Sequence, residues 1–145
     1  MSALLDVNVL VALAWPNHIH HARAHAWFAS ARGRGWATCP LTQSGFVRVS
    51  SNTAAIPDAR TTGEALALLK RIVRLPGHEF WPDDVSAADD RARVFARVVG
   101  YRQVSDAHLL SLAIRRGGRL ATFDAGIRDL VPPELDAGTV LELIP

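Results

Sequence analysis

Three aspartates stand where apolar runs give way to polar chain. Asp6 closes the run Leu4-Leu5, Asp106 lies in the first turn of a helix opening at Ser105, and Asp124 follows Leu120-Ala121-Thr122-Phe123. Each has an ordinary structural explanation: Asp6 as a helix cap, Asp106 as an answer to a helix dipole, Asp124 as the cap of a short turn through Gly126-Ile127. Taken together those explanations weaken, because a carboxylate at an apolar strand end loses hydration unless a positive charge or several donors receive it. A divalent cation meets that need with one ligand. A set of acids without companion histidines or thiolates suits the hard ions Mg²⁺ and Mn²⁺ better than zinc.

The elements that must hold these acids follow from hydrophobic periodicity. Residues 4–13 read as a short buried strand, a sharp turn at the two polar residues Asp6 and Asn8, and the start of a helix. Pro16-Asn17 breaks that pattern, and helical spacing resumes over 20–31 until Gly33 and Gly35 stop it. A brief strand over 36–39, a helix over 40–49, a loop over 52–59 and a helix over 62–74 with Leu66, Leu69 and Val73 on one face come next. After Pro76-Gly77 the spacing predicts a strand over 79–81, a helix over 87–99 closed by Gly100, and a clear amphipathic helix over 104–116 ended by Gly117-Gly118. Strands over 119–123 and 139–144 finish the chain. Strands alternating with helices predict an α/β domain with a mainly parallel central sheet and helices on both faces, one domain over 1–145. In such sheets ligands sit outside the carboxyl ends of the strands, where Asp6 and Asp124 stand.

Composition bounds the function classes. The 145 residues are 49% hydrophobic and 21% charged, enough for one real core and without the signature of disorder. The net charge of +2 rests on arginine, since Lys70 is the only lysine, and a mildly basic chain is a weak pointer to polyanions. Cys39 is the only cysteine, which excludes an intramolecular disulfide and reads as a small buried apolar group. The N-terminus has no basic region before its apolar run and carries an acid inside it, so neither a signal peptide nor a membrane span is expected, and the expected compartment is the cytoplasm.

At this point the motifs carry a resemblance. Leu5-Asp6-Val7-Asn8-Val9-Leu10 resembles the opening motif of PIN domains, Val104-Ser105-Asp106-Ala107-His108-Leu109-Leu110 the third, and Leu120-Ala121-Thr122-Phe123-Asp124 the fourth. Residues 36–48 are similar to the second-motif region of one VapC-like branch. The resemblance spans nearly the whole chain in the right order. It implies a metal-dependent endoribonuclease of the VapC type, the toxin of a VapBC toxin–antitoxin pair, with Asp6, Asp106 and Asp124 as ligands of Mg²⁺ or Mn²⁺ and Asn8 and Thr122 orienting ligands or water. It further implies a homodimer held inactive by a small VapB-like antitoxin. One departure stands out: Gln43 occupies a position where the family places a glutamate, leaving the site one negative charge short. The expectation is weaker metal affinity, with Gln43 holding a water; Asp90 and Asp129 read as solvated surface residues rather than replacements.

Other clusters read as structural. His21 and His25 lie one helical turn apart, yet a closed zinc site needs more ligands than the stretch 18–25 supplies. His108 reads as a packed or rim residue, and Trp15, Trp27, Trp36 and Trp81 as core. Arg48, Arg102, Arg115, Arg116 and Arg119 are candidates for steering an RNA backbone. Two other classes stay open. A phosphoacceptor or phosphatase domain is disfavoured by Asn8, where a haloacid-dehalogenase-type enzyme needs a second aspartate, and a non-catalytic PIN module that only binds RNA or protein is kept in view by Gln43.

Overall fold

The computed structural model describes residues 1–56 and 59–145, so Pro57 and Asp58 of the expected loop over 52–59 lie outside the described residues. Among the described residues five short strands form one all-parallel sheet: β1 (Ala3–Leu5), β2 (Trp36–Thr38), β3 (His78–Phe80), β4 (Arg119–Thr122) and β5 (Leu141–Leu143), in the order β3-β2-β1-β4-β5. The helices are α1 (Val7–Ala14), α2 (His21–Ala31), α3 (Pro40–Ser50), α4 (Thr62–Ile72), α5 (Val104–Arg115) and α6 (Ala137–Val140). An α/β fold with a parallel sheet is what the alternation of elements predicts.

Strand alternation sorts the core into two halves. Leu4, Ala37, Leu120 and Leu141 face one side, where Leu109, Leu110, Leu112 and Ala113 of α5 cover them. Ala3, Leu5, Trp36 and Ala121 face the other, covered by Val9 and Leu10 of α1, Trp27 of α2, Phe46 of α3 and Leu69 of α4. Central strands buried on both faces read as apolar runs, which is why Ala3-Leu4-Leu5 lacks polar alternation. Each buried leucine of α5 contributes about 1.5–3 kcal/mol through burial. That helix is consequently a firm platform for Asp106 in its first turn.

Local chemistry sets the boundaries. Thr61 and Glu64 form a capping box at the start of α4, Pro40 opens α3, and Gly117 at φ +66° ends α5 in a conformation that costs a side chain. The expected helix over 87–99 is absent. The Asp90 carboxylate captures the backbone N–H groups of Val94 and Ala96 at 3.0 and 2.8 Å, and Arg93 takes φ 59°. Side-chain capture of backbone donors competes with the helix, and only a short 3₁₀ turn at Phe95–Arg97 forms. The strand expected over 79–81 lies one residue earlier. The one expected over 139–144 begins only at Leu141, because Asp136 caps α6 by accepting from Gly138 N. On α4 the inward residues are Ala65 and Leu69, and Leu66 is 45% exposed, so the face drawn through Leu66 is corrected. Among the described residues no helix is long and apolar enough to cross a membrane.

Candidate active site

In the strand order the chain turns one way from β1 to β2 and the other way to β4, so β1 and β4 flank the switch point where open parallel sheets leave a crevice at their carboxyl ends. Asp6 follows β1 directly and caps α1: one carboxylate oxygen accepts from Val7 N at 2.7 Å, the other from Thr122 Oγ1 at 2.7 Å. Thr122 ends β4 and is fully buried. Its hydroxyl also accepts from Asn8 Nδ2 at 3.2 Å and from Asp124 N at 3.1 Å, which uses its one donor and both lone pairs. Asn8 Oδ1 in turn accepts from Phe123 N at 3.4 Å. Asp124 caps the 3₁₀ turn Ala125–Leu130 through Gly126 N at 2.8 Å. Four residues from the two ends of the chain thus form one hydrogen-bonded unit around Thr122.

Asp106 reaches this unit from α5. Half-burial, and after it the charges of Asp6 and Asp124, push its carboxyl up to about 6. Burial also raises Asp6, against the opposing hydrogen bonds from Thr122 and Val7 and with a further push from Asp124. The three carboxylates therefore feel one another. Among the described residues none of the ion pairs involves any of them. Such an arrangement is costly when fully ionised, and a divalent cation removes the cost. The donor set of carboxylate and amide oxygens fits Mg²⁺ or Mn²⁺. Among the described residues no group of three His, Cys, Asp or Glu side chains is gathered into a metal cage. An open site fits Mg²⁺, which keeps several waters and binds through one or two carboxylates.

A family model for the PIN domain matches residues 3–131, which takes in all three aspartates. The chain belongs to the PIN-domain family. It is 57% identical to Ribonuclease VapC38 of Mycobacterium tuberculosis over 125 residues, 86% of each chain. To Ribonuclease VapC29 of the same organism it is 43% identical over 147 aligned positions, covering 100% of this chain and 98% of the relative. Among solved structures, the Rickettsia felis VapBC2 complex bound to a DNA fragment from its promoter superposes at a TM-score of 0.66 with 13% identity over 100% of both chains. FitAB bound to the IR36 DNA fragment does so at 0.65 with 18% identity, over 97% of this chain and 93% of that one. At these identities the two structures speak for the shared fold.

In this PIN domain the Gln43 side chain has a partner of its own. It lies on α3 and donates from Nε2 to Thr38 Oγ1 at 2.9 Å, and that hydroxyl lies 2.7 Å from His78 Nε2. Thr38 is on β2, across β1 from Thr122, and no hydrogen bond among the described residues joins Gln43 to Asp6, Asp106 or Asp124. The Gln43–Thr38 bond spans only five positions at the β2–α3 junction, whereas His78 joins them only through the pairing of β2 with β3.

Several of the remaining candidates make contacts within the PIN fold. His21 and His25 donate to the carbonyls of Ala12 and Leu13 at 2.8 and 3.0 Å, finishing the last turn of α1. His108 pairs with Asp83 at 2.7 Å, Arg115 with Asp84 at 2.9 Å, and Arg116 with the Pro82 carbonyl at 2.8 Å, so these residues tie the segment after β3 to α5. Trp27, Trp36 and Trp81 are buried, whereas Trp15 is half-buried and donates to Ser50 Oγ. Cys39 is buried as an apolar group. Asp129 is exposed, as expected. Asp90 is not simply solvated, since it caps the turn before Phe95.

Proposed function

We propose that this PIN domain, a single domain over residues 1–145, is a metal-dependent endoribonuclease and the toxin of a VapBC-type toxin–antitoxin pair. The observation that carries the proposal is the Thr122-centred unit joining Asp6, Asn8 and Asp124 beside Asp106 at the strand-switch crevice. Relatives named Ribonuclease VapC, 43–57% identical, support RNA as the substrate class. Neighbours solved as VapBC and FitAB complexes support an antitoxin as partner. The working form is a homodimer in the cytoplasm.

The residues divide the work by their hydrogen bonds. Asp6, Asp106 and Asp124 would hold Mg²⁺ or Mn²⁺. When bound, the cation supplies charge that offsets the RNA phosphate and lowers the pKa of water. Thr122 fixes the Asp6 carboxylate in one orientation, and Asn8 and the Asp124 N–H fix Thr122, so the acid does not reorganise as the phosphate arrives. Asp106 gives up its proton near pH 6 and stands ionised at neutral pH. Gln43, bound to Thr38, props the neighbouring strand end and adds no charge. The reaction is attack of water on phosphorus with departure of the 3′ oxygen, leaving 5′-phosphate ends.

One observation favours a second reading, a PIN module that binds RNA or protein without cutting: Gln43 is neutral where the resemblance places a glutamate, and its side-chain amide is bonded to Thr38. A single experiment separates the two. Purified protein is incubated with a mixed RNA pool and Mg²⁺ or Mn²⁺, beside EDTA and Asp6→Ala controls, and fragment ends are read. Cutting that needs metal, vanishes in Asp6→Ala and leaves 5′-phosphates is the expected result; RNA binding without cutting, equal with and without metal, replaces the nuclease with the binding module.

A further inference from the structure

We propose that the strip from Arg97 to Val104, beside the aspartate crevice, is a track for single-stranded RNA, on which Tyr101 stacks a base and Arg97 and Arg102 hold the flanking phosphates. The track deepens the nuclease reading and rests on it for the identity of the ligand. The strip touches the elements that carry two of the acids. The Phe95–Arg97 turn packs beside α5, with the Phe95 ring 6.4 Å from that of His108, two residues past Asp106. Arg97 donates from Nε to the Asp129 carbonyl at 3.0 Å, in the turn that Asp124 caps. Tyr101 stands five positions before Asp106, about 8 Å along the chain.

Exposure is the first observation that points to a ligand. Tyr101, the only tyrosine, is 80% exposed, with Val99 at 94% and Val104 at 47%. One exposed apolar side chain is ordinary, but three within six positions form a platform that water does not favour. The turn that presents them is fixed: Gln103 Oε1 accepts from Val99 N at 2.7 Å and from Gly100 N at 3.1 Å. Arg102 lies against the Tyr101 ring, its Cζ 5.8 Å from the centroid and its Nε donating to the tyrosine Oη at 3.3 Å. A ring held in this way loses little freedom when a base stacks on it.

Charge is the second. Between Asp90 and Asp106 the chain carries Arg91, Arg93, Arg97 and Arg102 and no acid. Arg91 meets Asp89, but among the described residues Arg93, Arg97 and Arg102 take part in no ion pair. Arg115 and Arg116, on the far end of α5, are already engaged by Asp84. A π-face beside guanidinium groups that no acid neutralises is what unstacked, single-stranded RNA uses, with base on ring and phosphate on arginine. A second copy docking the same face onto this one would instead bring the arginines against one another.

The test follows the anisotropy of a fluorescent single-stranded RNA of mixed sequence titrated with the full chain in EDTA, where metal-dependent cutting does not intervene, at several salt concentrations. Tyr101→Ala is expected to weaken binding about tenfold with the salt dependence unchanged, and Tyr101→Phe to bind as wild type. Arg102→Ala should reduce the slope of log affinity against log salt by about 0.7, whereas Arg71→Ala on α4 leaves it as it was. Absence of saturable binding, Tyr101→Ala equal to wild type, Tyr101→Phe as weak as Tyr101→Ala, or Arg71→Ala as damaging as Arg102→Ala overturns the track. A Tyr101→Ala variant that changes the sedimenting species and spares RNA affinity gives the platform to a second copy instead. The two readings fail separately: these binding differences without metal-dependent cleavage keep the track and remove the nuclease, and cleavage without them removes the track alone.

Discussion

Acidic residues gather in two regions of this protein, and the two treat their charge in opposite ways. Along the segment after β3, Asp83, Asp84 and Asp89 each meet a cationic or ionisable partner: His108, Arg115 with Arg116, and Arg91. There the Arg115 hydrogen bond holds the Asp84 carboxyl below its usual range. At the β1–β4 crevice, Asp6, Asp106 and Asp124 take part in no ion pair among the described residues, and Asp6 and Asp106 are pushed upward by burial and by neighbouring carboxylates. A fold of this net charge has arginines available, so the unneutralised crevice is a specific arrangement. Charge satisfied within the chain fastens a loop; charge left unsatisfied in a crevice is held for something that comes from outside.

The sharpest way to break this contrast is by activity. Asp106→Ala is expected to lower RNA cleavage on the order of 10²–10³-fold, with Asp84→Ala leaving the rate at wild type, both measured in the same metal-dependent assay. Thr122→Val, which removes the orienting hydroxyl and keeps the acids, falls between them at about 10–100-fold.

The next effect is on stability against pH. Asp106 binds its proton more tightly in the folded state, up to about 6 from 3.8, so its contribution is fully present below the lower value and lost as pH rises through the higher one. Metal-free protein should therefore show a thermal midpoint that falls between about pH 4 and pH 6. Asp106→Asn should flatten that slope and raise the midpoint at pH 7 while lowering cleavage, as Asp106→Ala does. Added Mn²⁺ should restore the wild-type midpoint by mass action; a metal-free midpoint that rises across this window contradicts the account of the crevice.

Packing supplies a smaller effect. Gly45 lets α3 approach α1 beside the site, and a Cβ there would lie 2.6 Å from Val7 Cγ2, next to Asp6. Gly45→Ala is expected to cost about 1–3 kcal/mol in chemical denaturation. Gly100→Ala, where no atom lies within 4 Å, should cost within about 0.5 kcal/mol. Smallest of all is Asp84→Asn: its pairs with Arg115 and Arg116 lie at the surface, so the denaturation midpoint should barely move, and less still in high salt.

Much of this molecule was legible in the chain because it depends on near neighbours. The apolar run 3–5, the short strand 119–122, the amphipathic pattern of α5 and the caps at Asp6 and Asp124 are written within a few residues of where they act. The region 87–99 departs from its helical pattern for a related reason. Helical propensity sums over a window, but one carboxylate at Asp90 placed to accept two backbone donors outweighs it, and side-chain placement is not a property of composition. Gln43 could be recognised as a departure, and its bond to Thr38 spans only five positions, but the nearness of His78 depends on strands meeting 40 positions apart.

The sequence by itself determined which groups carry charge and that three aspartates sit where strands end or a helix begins, because strand length, capping and periodicity are local. The tertiary structure alone decided that Asp6 and Thr122, 116 positions apart, share a hydrogen bond. It also decided that Asp106 loses enough water to hold its proton to about pH 6. The physical reason is that desolvation and charge–charge repulsion depend on distance in space, and only the parallel order of β1 beside β4, with α5 packed across them, brings those distances into being.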